Sequence, residues 1–298
     1  MRLIEALDIT DAMLADSNIT EDDHPQWDMS TSYDPGDKVI VLATHRIYEA
    51  QVATTGDDPT EDDGTTWLDI GATERWRAFD QRVGSVAART SPIYYKLEPG
   101  TLAGGVAVLG MQAASVRVRI TDTVDGVVYD KTTNLVDNSG VLDWFTYYYD
   151  PVNFGQRLAL FDLPIYTDSE VEIWVEGSVT VELGQIVIGA TRNLGDTLTD
   201  SRLGILDFSR KERDAFGNFA VVERAFALTS DYEFSFPSRD SVRVQGILAR
   251  NRARPTVFSA GEDTDAFGTL VYGFYRDMSI NLVSNNVAFA TLEVEGIT

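Results

Sequence analysis

The sequence predicts a mainly β protein with a small three-stranded module, a jelly-roll-like β-sandwich and a β-rich C-terminal domain that contains one helix. Three observations support this prediction. Short runs rich in β-branched and aromatic residues recur at roughly 8–12-residue intervals, which is the spacing of strands in sandwiches. Turn residues such as Asp125-Gly126 separate these runs. Residues 238–251 show the clearest helical periodicity in the chain.

Charge is distributed unevenly along the 298 residues. Residues 1–75 carry 18 acidic and 4 basic side chains, whereas the last third is nearly balanced. A chain of this length usually forms about two or three domains, and the shifts in charge and pattern predict four segments. They are an N-terminal segment (1–24), the module (25–75), the β-sandwich (76–192) and the C-terminal domain (193–298). Within the first, residues 3–16 suit a short helix or a strand followed by a helix.

The net charge of −23 excludes several classes of partner. A surface this acidic repels nucleic-acid backbones and anionic lipid, so we expect no nucleic-acid partner. No apolar run has the length of a membrane helix, and the N-terminus lacks the basic and apolar regions of a secretory signal, so we expect no membrane insertion. The absence of cysteine excludes disulfides and thiol nucleophiles.

Few residues suggest catalysis or metal binding. His24 and His45 lie in a predicted loop and a predicted turn, and we interpret both as surface residues. The acidic loop 57–63 suits either a calcium site or a solvated loop, and the second is favoured because Pro59 splits the carboxylates. No phosphate-binding glycine motif occurs. We therefore expect a protein without enzymatic activity, cofactor or metal.

The predicted module is a hairpin enclosed by aromatic residues. Residues 34–37 have turn chemistry, and strands are predicted at 38–42 and 47–52. The aromatic candidates are Trp27, Tyr33, Tyr48 and Trp67. Two interpretations of these rings stay open. Either they form the core of a domain with few other apolar residues, or one or two are exposed and pack against the C–H faces of sugar rings.

The predicted sandwich contains a second aromatic cluster. Its strands are predicted at 106–109, 115–121, 127–133, 142–149, 156–161, 171–175, 179–183 and 185–188. Aromatic residues fill positions 144–149 apart from Thr146 and would lie on both faces of a strand. One face is expected in the core. The other, with Trp144 and Tyr148 as candidates, would contact sugar or a neighbouring subunit.

The C-terminal domain is predicted to contain strands, a helix and a protein interface. Residues 207–236 suit two or three strands with a hairpin turn at 215–218, and residues 238–251 suit a helix capped by Ser238. Arginine is favoured at protein interfaces because it forms bidentate pairs and stacks. The interface candidates are Arg210, Arg213, Arg224, Arg250, Arg252 and Arg254. Exposed salt bridges are the alternative explanation for these arginines.

Residues 25–71 resemble the small carbohydrate-binding module of the chitin-binding type. The resemblance rests on a Trp, a Tyr-x-x-Gly-Asp-x-Val segment, a Tyr-Glu-Ala segment, a Pro-containing loop and a closing Trp. The matching residues are Trp27, Tyr33, Gly36, Asp37, Val39, Tyr48, Glu49, Ala50, Pro59 and Trp67. The resemblance implies a glycan-binding fold. Residues 51–56 depart from the pattern, because they lack the tryptophans found there in many chitin-binding members.

Residues 204–227 and 270–298 are similar to a family of tail proteins from long-tailed phages. That resemblance implies a structural virion protein of the tail tip or baseplate, assembled in the host cytoplasm. It further implies other tail proteins as partners, a three- or six-fold homo-oligomer and contact with host-surface polysaccharide. Two alternatives stay open. One is a purely architectural baseplate protein without a glycan ligand, and the other is a free sugar-binding or glycoside-hydrolysing protein.

Overall fold

The computed structural model describes residues 1–90, 92–137, 140–149, 153–213, 216–261 and 268–297. The chain is mainly β, which confirms the predicted fold class. The first strands are β1 (Arg2–Ala6), β2 (Leu14–Ser17), β3 (Ser32–Tyr33), β4 (Lys38–Val41), β5 (Arg46–Ala50), β6 (Thr54–Thr55) and β7 (Trp67–Ala72), followed by a 3₁₀ turn at Arg77–Phe79.

The middle of the chain alternates strands with one short helix. Its elements are β8 (Ala87–Arg89), β9 (Ile93–Leu97), β10 (Gly105–Leu109), β11 (Ser115–Asp122), β12 (Gly126–Asn134), β13 (Val136–Asp137), helix α1 (Trp144–Tyr149), β14 (Asn153–Phe154), β15 (Arg157–Leu160), β16 (Ser169–Glu176), β17 (Val181–Leu183) and β18 (Gln185–Asn193). The predicted hairpin between β11 and β12 is present, with Gly126 at a positive φ of 74°.

The last third contains long strands and the predicted helix. Its elements are β19 (Asp196–Thr197), β20 (Arg202–Asp207), β21 (Arg210–Arg213), β22 (Phe219–Val222), β23 (Phe226–Pro237), a 3₁₀ turn at Ser238–Asp240, helix α2 (Ser241–Arg250), β24 (Thr256–Ser259), β25 (Val271–Leu282) and β26 (Val287–Gly296). The predicted hairpin turn at 215–218 lies partly outside the described residues.

One large sheet contains strands from the N-terminal segment, the middle and the last third of the chain. Within the described residues it has ten strands in the order β15-β10-β18-β1-β24-β25-β26-β23-β19, and β20 pairs with β23. Strand β1 lies between β18 and β24, where Ile4 is opposite Thr191 on one side and Val257 on the other. The sheet therefore crosses the predicted divisions at residues 24 and 192.

A five-stranded sheet, β12-β11-β16-β9-β2, packs on half of the large sheet and forms the predicted sandwich. Strands β9 and β11 of this sheet alternate between buried and more exposed residues. In β11, for example, Val116, Val118 and Ile120 are buried and the residues between them face outward. Helix α2 buries Val244 and Ile247 against the other half of the large sheet. Both cores consist almost entirely of apolar side chains, and their burial holds the two layers on the large sheet.

The small module has its own three-stranded sheet, β4-β5-β7, as predicted. Gly36, at a positive φ of 95°, allows the turn that leads into β4. A second, two-stranded sheet in the module pairs β3 with β6. No helix among the described residues is long and apolar enough to cross a membrane.

Three secondary-structure predictions are wrong. The strand predicted at 142–149 is absent, and residues 144–149 form helix α1, because the side chain of Asp143 accepts a hydrogen bond from the Thr146 N–H at 2.9 Å and starts a helix. Residues 3–16 contain the strand β1 and the start of β2 instead of a helix. Helix α2 begins three residues later than predicted, because Ser238 lies in the preceding 3₁₀ turn.

We predict that Ile4→Ala destabilises the protein by about 2–5 kcal/mol, since Ile4 is fully buried in the central strand. Because β1 links both halves of the large sheet, urea unfolding monitored by fluorescence and by circular dichroism should shift as one transition. The control Leu142→Ala, at a side chain that is 87% exposed, should change stability by less than about 0.5 kcal/mol. Two separate transitions, only one of them shifted, would contradict the role given to β1.

Candidate functional site

The module's predicted glycan-binding rings are mostly its core. Tyr33, Tyr48 and Trp67 are buried together, and Tyr33 meets Trp67 edge to face with 5.2 Å between ring centroids. These three rings therefore offer no open face to a sugar, which corrects their assignment as candidates. A module this small has few other apolar residues, so its aromatic rings are needed for its own stability.

Trp27 is the module candidate that keeps part of its ring at the surface. It packs on the edge of the same core, and its backbone N–H donates to the Ile40 carbonyl at 3.0 Å. Its indole Nε1 is buried and has no hydrogen-bond partner among the described residues. One part of the Trp27 side chain therefore packs on the module core, and the rest is exposed to solvent.

Hydrogen bonds within the module stabilise the conformation of its acidic loop. Asp62 accepts hydrogen bonds from the backbone N–H groups of Gly64, Thr66 and Trp67 at 2.8–3.1 Å. The bond from Trp67 is the largest of the effects that lower the pKa of Asp62. Trp67 also donates its indole N–H to the Asp57 carbonyl at 3.0 Å. Among the described residues, no group of three or more histidine or carboxylate side chains is arranged to hold a metal.

His45 joins the module to the rest of the protein. Its Nδ1 lies 2.9 Å from the Glu21 Oε1, and its Nε2 lies 2.7 Å from the Asp11 Oδ1. The imidazole also stacks on Trp76, with 4.1 Å between ring centroids. The interpretation of His45 as an ordinary surface residue is therefore wrong, because its ring is held by carboxylates from the N-terminal segment and by the Trp76 ring.

Helix α1 is an exposed aromatic surface. Trp144, Tyr147 and Tyr148 are 76%, 63% and 70% exposed, and none of the helix residues is buried. Tyr147 lies edge to face against the other two rings, and Trp144 stacks on Tyr148 with 6.2 Å between centroids. We call these three residues the aromatic cluster. The predicted pair Trp144 and Tyr148 is thus brought together, on a helix face instead of a strand face.

Trp174, on the outer face of the five-stranded sheet, was not among the predicted candidates. Its ring lies between Tyr94 on β9 and the guanidinium groups of Arg117 and Arg119 on β11, all about 5 Å from its centroid. Glu172 accepts hydrogen bonds from Tyr94 and Arg119, and burial together with this carboxylate raises the pKa of Tyr94 to about 12. These aromatic and cation–π contacts of the indole stabilise the sheet.

A long apolar surface is exposed on strands β20, β21 and β22, and we call residues 202–226 the arm, of which 202–213 and 216–226 are described. It starts with β20 paired to β23 and continues as β21 paired to β22. Beyond the pair Asp207–Phe226, the described part of the arm has no further strand beside it. Its exposed apolar side chains are Leu203, Ile205, Leu206, Phe208, Phe216, Phe219, Val221, Val222 and Phe226. Monomeric proteins rarely expose so many apolar residues on one element, so the arm is a candidate interaction surface.

The arm also carries half of the predicted interface arginines. Arg213 lies over the Phe219 ring at 4.5 Å, and Arg210 pairs with Glu212 at 2.6 Å. The third arginine is Arg224, which is exposed near the arm's base. The other candidates, Arg250, Arg252 and Arg254, are exposed at the end of α2 and in the turn that follows it. The exposed ion pair between Arg210 and Glu212 agrees with the salt-bridge alternative. Arg213, in contrast, packs on the Phe219 ring and extends the apolar surface of the arm.

No family model matches the sequence, and no curated protein matches it. The lectin domain of lectinolysin in complex with Lewis B antigen has 13% identity and a TM-score of 0.28, over 40% of this chain and 83% of that chain. A fucose-binding module from Streptococcus pneumoniae has 12% identity and a TM-score of 0.28, over 40% and 85%. A chitosan-binding module from a chitosanase/glucanase of Paenibacillus sp. IK-5 has 14% identity and a TM-score of 0.27, over 41% and 86%.

All three of these structures are carbohydrate-binding domains by their names. Their TM-scores are too low to establish a shared fold, so a function for this chain has to come from its own surfaces. The resemblances to a chitin-binding-type module and to phage tail proteins stay predictions.

We predict that Trp67→Ala unfolds the module, with a loss of about 3–5 kcal/mol in its free energy of unfolding, because the ring is 2% exposed. Trp144→Ala should leave stability nearly unchanged, since that ring lies in solvent. Hydrogen exchange of the β4–β5 amides measures both effects. Equal protection of these amides in the two variants would show that Trp67 does not hold the module together.

Proposed function

We propose that this chain is a structural, non-enzymatic protein of a phage tail tip or baseplate, assembled in the host cytoplasm and carried in the virion. The observation that carries the proposal is the arm, whose apolar side chains are exposed and whose distal strands β21 and β22 pair only with each other among the described residues. Such a surface needs a protein partner, and the resemblance of residues 204–227 and 270–298 to tail proteins supports a tail component as that partner.

The proposed assembly is a three- or six-fold homo-oligomer around the tail axis. Rings of this kind close through head-to-tail contacts, which a projecting element on one subunit can make with the body of the next. The body is strongly acidic and the arm is not: residues 202–226 carry five basic and four acidic side chains in a chain of net charge −23. An arm of this composition is suited to an acidic neighbour.

Contact with host-surface polysaccharide is the second part of the proposal. Its support is the aromatic cluster on α1, where three amphipathic rings are exposed side by side. Tyrosine and tryptophan pair an apolar face with a polar group, which suits the C–H faces and hydroxyls of a pyranose. Single contacts of this type are weak, and a ring of subunits would supply avidity.

A purely architectural role without a glycan ligand is the second candidate. It is favoured by the burial of Tyr33, Tyr48 and Trp67, which leaves the module with Trp27 as its one partly exposed candidate ring in the described chain. In this case the module acts as a spacer, docked through His45. The two candidates differ in whether the exposed aromatic cluster binds polysaccharide.

Electron microscopy of phage particles labelled with a gold-conjugated antibody to the module tests the tail assignment. Label at the tail tip is the expected result. Particles assembled with Phe219→Asp in the arm should lose the label, because a buried unpaired carboxylate opposes docking. Label elsewhere on the particle, or none on intact wild-type particles, would reject the tail role.

Retention of the full-length protein on immobilised host-envelope polysaccharide tests the glycan contact. Trp144→Ala and Tyr148→Ala should each weaken retention about two- to tenfold, the range of a single aromatic contact. Phe145→Ala is the matched control, because Phe145 lies on the same helix and packs on Tyr149, outside the aromatic cluster. Unchanged retention in both cluster variants would favour the architectural candidate.

A further inference from the structure

A half-open pocket of about 400 Å³ lies where the small module meets the rest of the chain, and we call it the junction pocket. Strands β4, β5 and β7 of the module supply one part of its lining, and the connection that follows β7 supplies another. Its polar lining residues are His24, Lys38, Arg77, Arg82 and Ser85. The volume is within the ~300–1,000 Å³ of sites that hold organic ligands.

The charged residues that line the junction pocket are all basic. Lys38, Arg77 and Arg82 carry positive charges, His24 can gain one, and no acidic residue is among the described lining residues. The chain as a whole has the reverse balance, with 47 acidic residues against 24 Lys and Arg. Basic side chains are therefore concentrated around a concave surface of an acidic protein, which favours an anionic ligand at that surface.

Two carboxylates lie close to these cations without lining the pocket. Glu49 Oε2 lies 3.6 Å from Lys38 Nζ, and Asp23 Oδ2 lies 3.7 Å from Arg77 Nη2. Both separations exceed the about 2.7–3.2 Å of a direct hydrogen bond, so neither carboxylate accepts one from its cation. A ligand carboxylate that enters the pocket can therefore form shorter, charge-assisted hydrogen bonds with the same groups.

The connection that carries Arg82 is held in place by hydrogen bonds to its backbone. Arg77 Nη1 donates to the Val86 carbonyl at 3.1 Å, and the Arg82 N–H donates to Asp80 Oδ1 at 2.9 Å. Between Asp80 and Arg82 the chain turns at Gln81, whose φ of 63° lies in the left-handed region that non-glycine residues rarely adopt. These contacts fix the backbone of Arg82 while its side chain stays exposed.

The rest of the lining suits a sugar ring that carries the negative charge. Ile47, Ile70 and Val86 offer apolar contacts, and the Ser85 hydroxyl can donate and accept hydrogen bonds. A hexuronate combines C–H groups, hydroxyls and one carboxylate, so it matches each kind of lining residue. Inorganic phosphate would fill a small part of the pocket and leave its apolar side chains without a contact.

We propose that the junction pocket binds a hexuronate unit of an anionic polysaccharide. Arg82 and Lys38 would pair with the carboxylate, and Ser85 would hydrogen-bond to a ring hydroxyl. This inference rests on the proposed contact with polysaccharide, because it specifies the chemical class of that polysaccharide. It adds a binding site that shares no residue with the aromatic cluster on α1.

Calorimetric titration of the full-length protein with trigalacturonate tests the proposal. The fully methyl-esterified trisaccharide is the matched probe, because it has the same sugar rings and no carboxylate charge. Trigalacturonate should bind about tenfold more tightly than the ester, since the ester cannot form the charge-assisted hydrogen bonds. Physiological ionic strength screens the repulsion between trigalacturonate and acidic residues elsewhere on the surface.

Two charge-removing variants locate the binding. Arg82→Gln and Lys38→Gln should each weaken trigalacturonate binding about two- to fivefold, the range of a single exposed ion pair, and leave binding of the ester unchanged. Arg239→Gln is the matched control, because it removes the same charge from an exposed residue in the 3₁₀ turn before α2. Hydrogen exchange of the β4–β5 amides verifies that the module stays folded in all three variants.

Three outcomes of these titrations would overturn the proposal. Equal affinities for the acid and the ester would mean that the pocket does not select a carboxylate. Equal losses in Arg82→Gln and Arg239→Gln would mean that the overall charge of the protein, and not the pocket, controls binding. Full displacement of trigalacturonate by an equal concentration of inorganic phosphate would mean that the site binds anions without recognising a sugar.

The same measurements separate this proposal from the proposed function. Retention on host-envelope polysaccharide that depends on Trp144, together with no binding of trigalacturonate, would reject only the junction pocket. Binding of trigalacturonate that depends on Arg82, together with no label at the tail tip, would support the pocket and reject only the tail assignment.

Discussion

The pairing of β1 with both β18 and β24 is the interaction on which the rest of the structure depends. Side chains alternate along this strand, so Leu3 enters the core under α2 and Ile4 enters the core on the opposite face. Without β1 the sandwich half and the C-terminal half of the large sheet have no common strand. A cavity of about 400 Å³ is lined by Leu109 from the sandwich half and by Leu270 and Tyr272 from the C-terminal half, so its walls come from the two halves that β1 connects.

Whether an aromatic ring is buried determines whether it can contact a ligand. In the module, Tyr33, Tyr48 and Trp67 are the largest buried side chains, and a core of this size is stable only when they are inside. In the sandwich, β-branched and aliphatic residues such as Val118 already fill the core, so the aromatic cluster of α1 is not required there. Rings that a core does not need and that stay exposed are the better candidates for a ligand. This reasoning moves the proposed glycan contact from the module to α1.

Strand positions were predictable, because alternation and turn residues are local signals, and β11 with its Asp125-Gly126 turn shows this. The helix at residues 144–149 was not predicted, because aromatic residues favour strands. The competing signal is Asp143, whose side chain caps this helix. That signal, an Asp three residues before Thr146, was readable in the sequence. The contacts of His45 with Asp11 and Glu21 depend on tertiary structure. Strand periodicity likewise says nothing about whether a hairpin has neighbours, so the exposure of the arm could not be derived from it.

The composition of the arm indicates how it makes contact. An exposed edge strand usually attracts another strand, and charged residues on the edge oppose that pairing. Strand β21, with the sequence RKER, has its outer edge without a strand partner among the described residues and is charged at every position. Backbone pairing is therefore disfavoured along the outer edge of β21. Strand β22, with the sequence FAVV, has no charged residue, and its outer edge also lacks a strand partner among the described residues. Of the two edges of this hairpin, the β22 edge is therefore the one that can accept a strand from another chain.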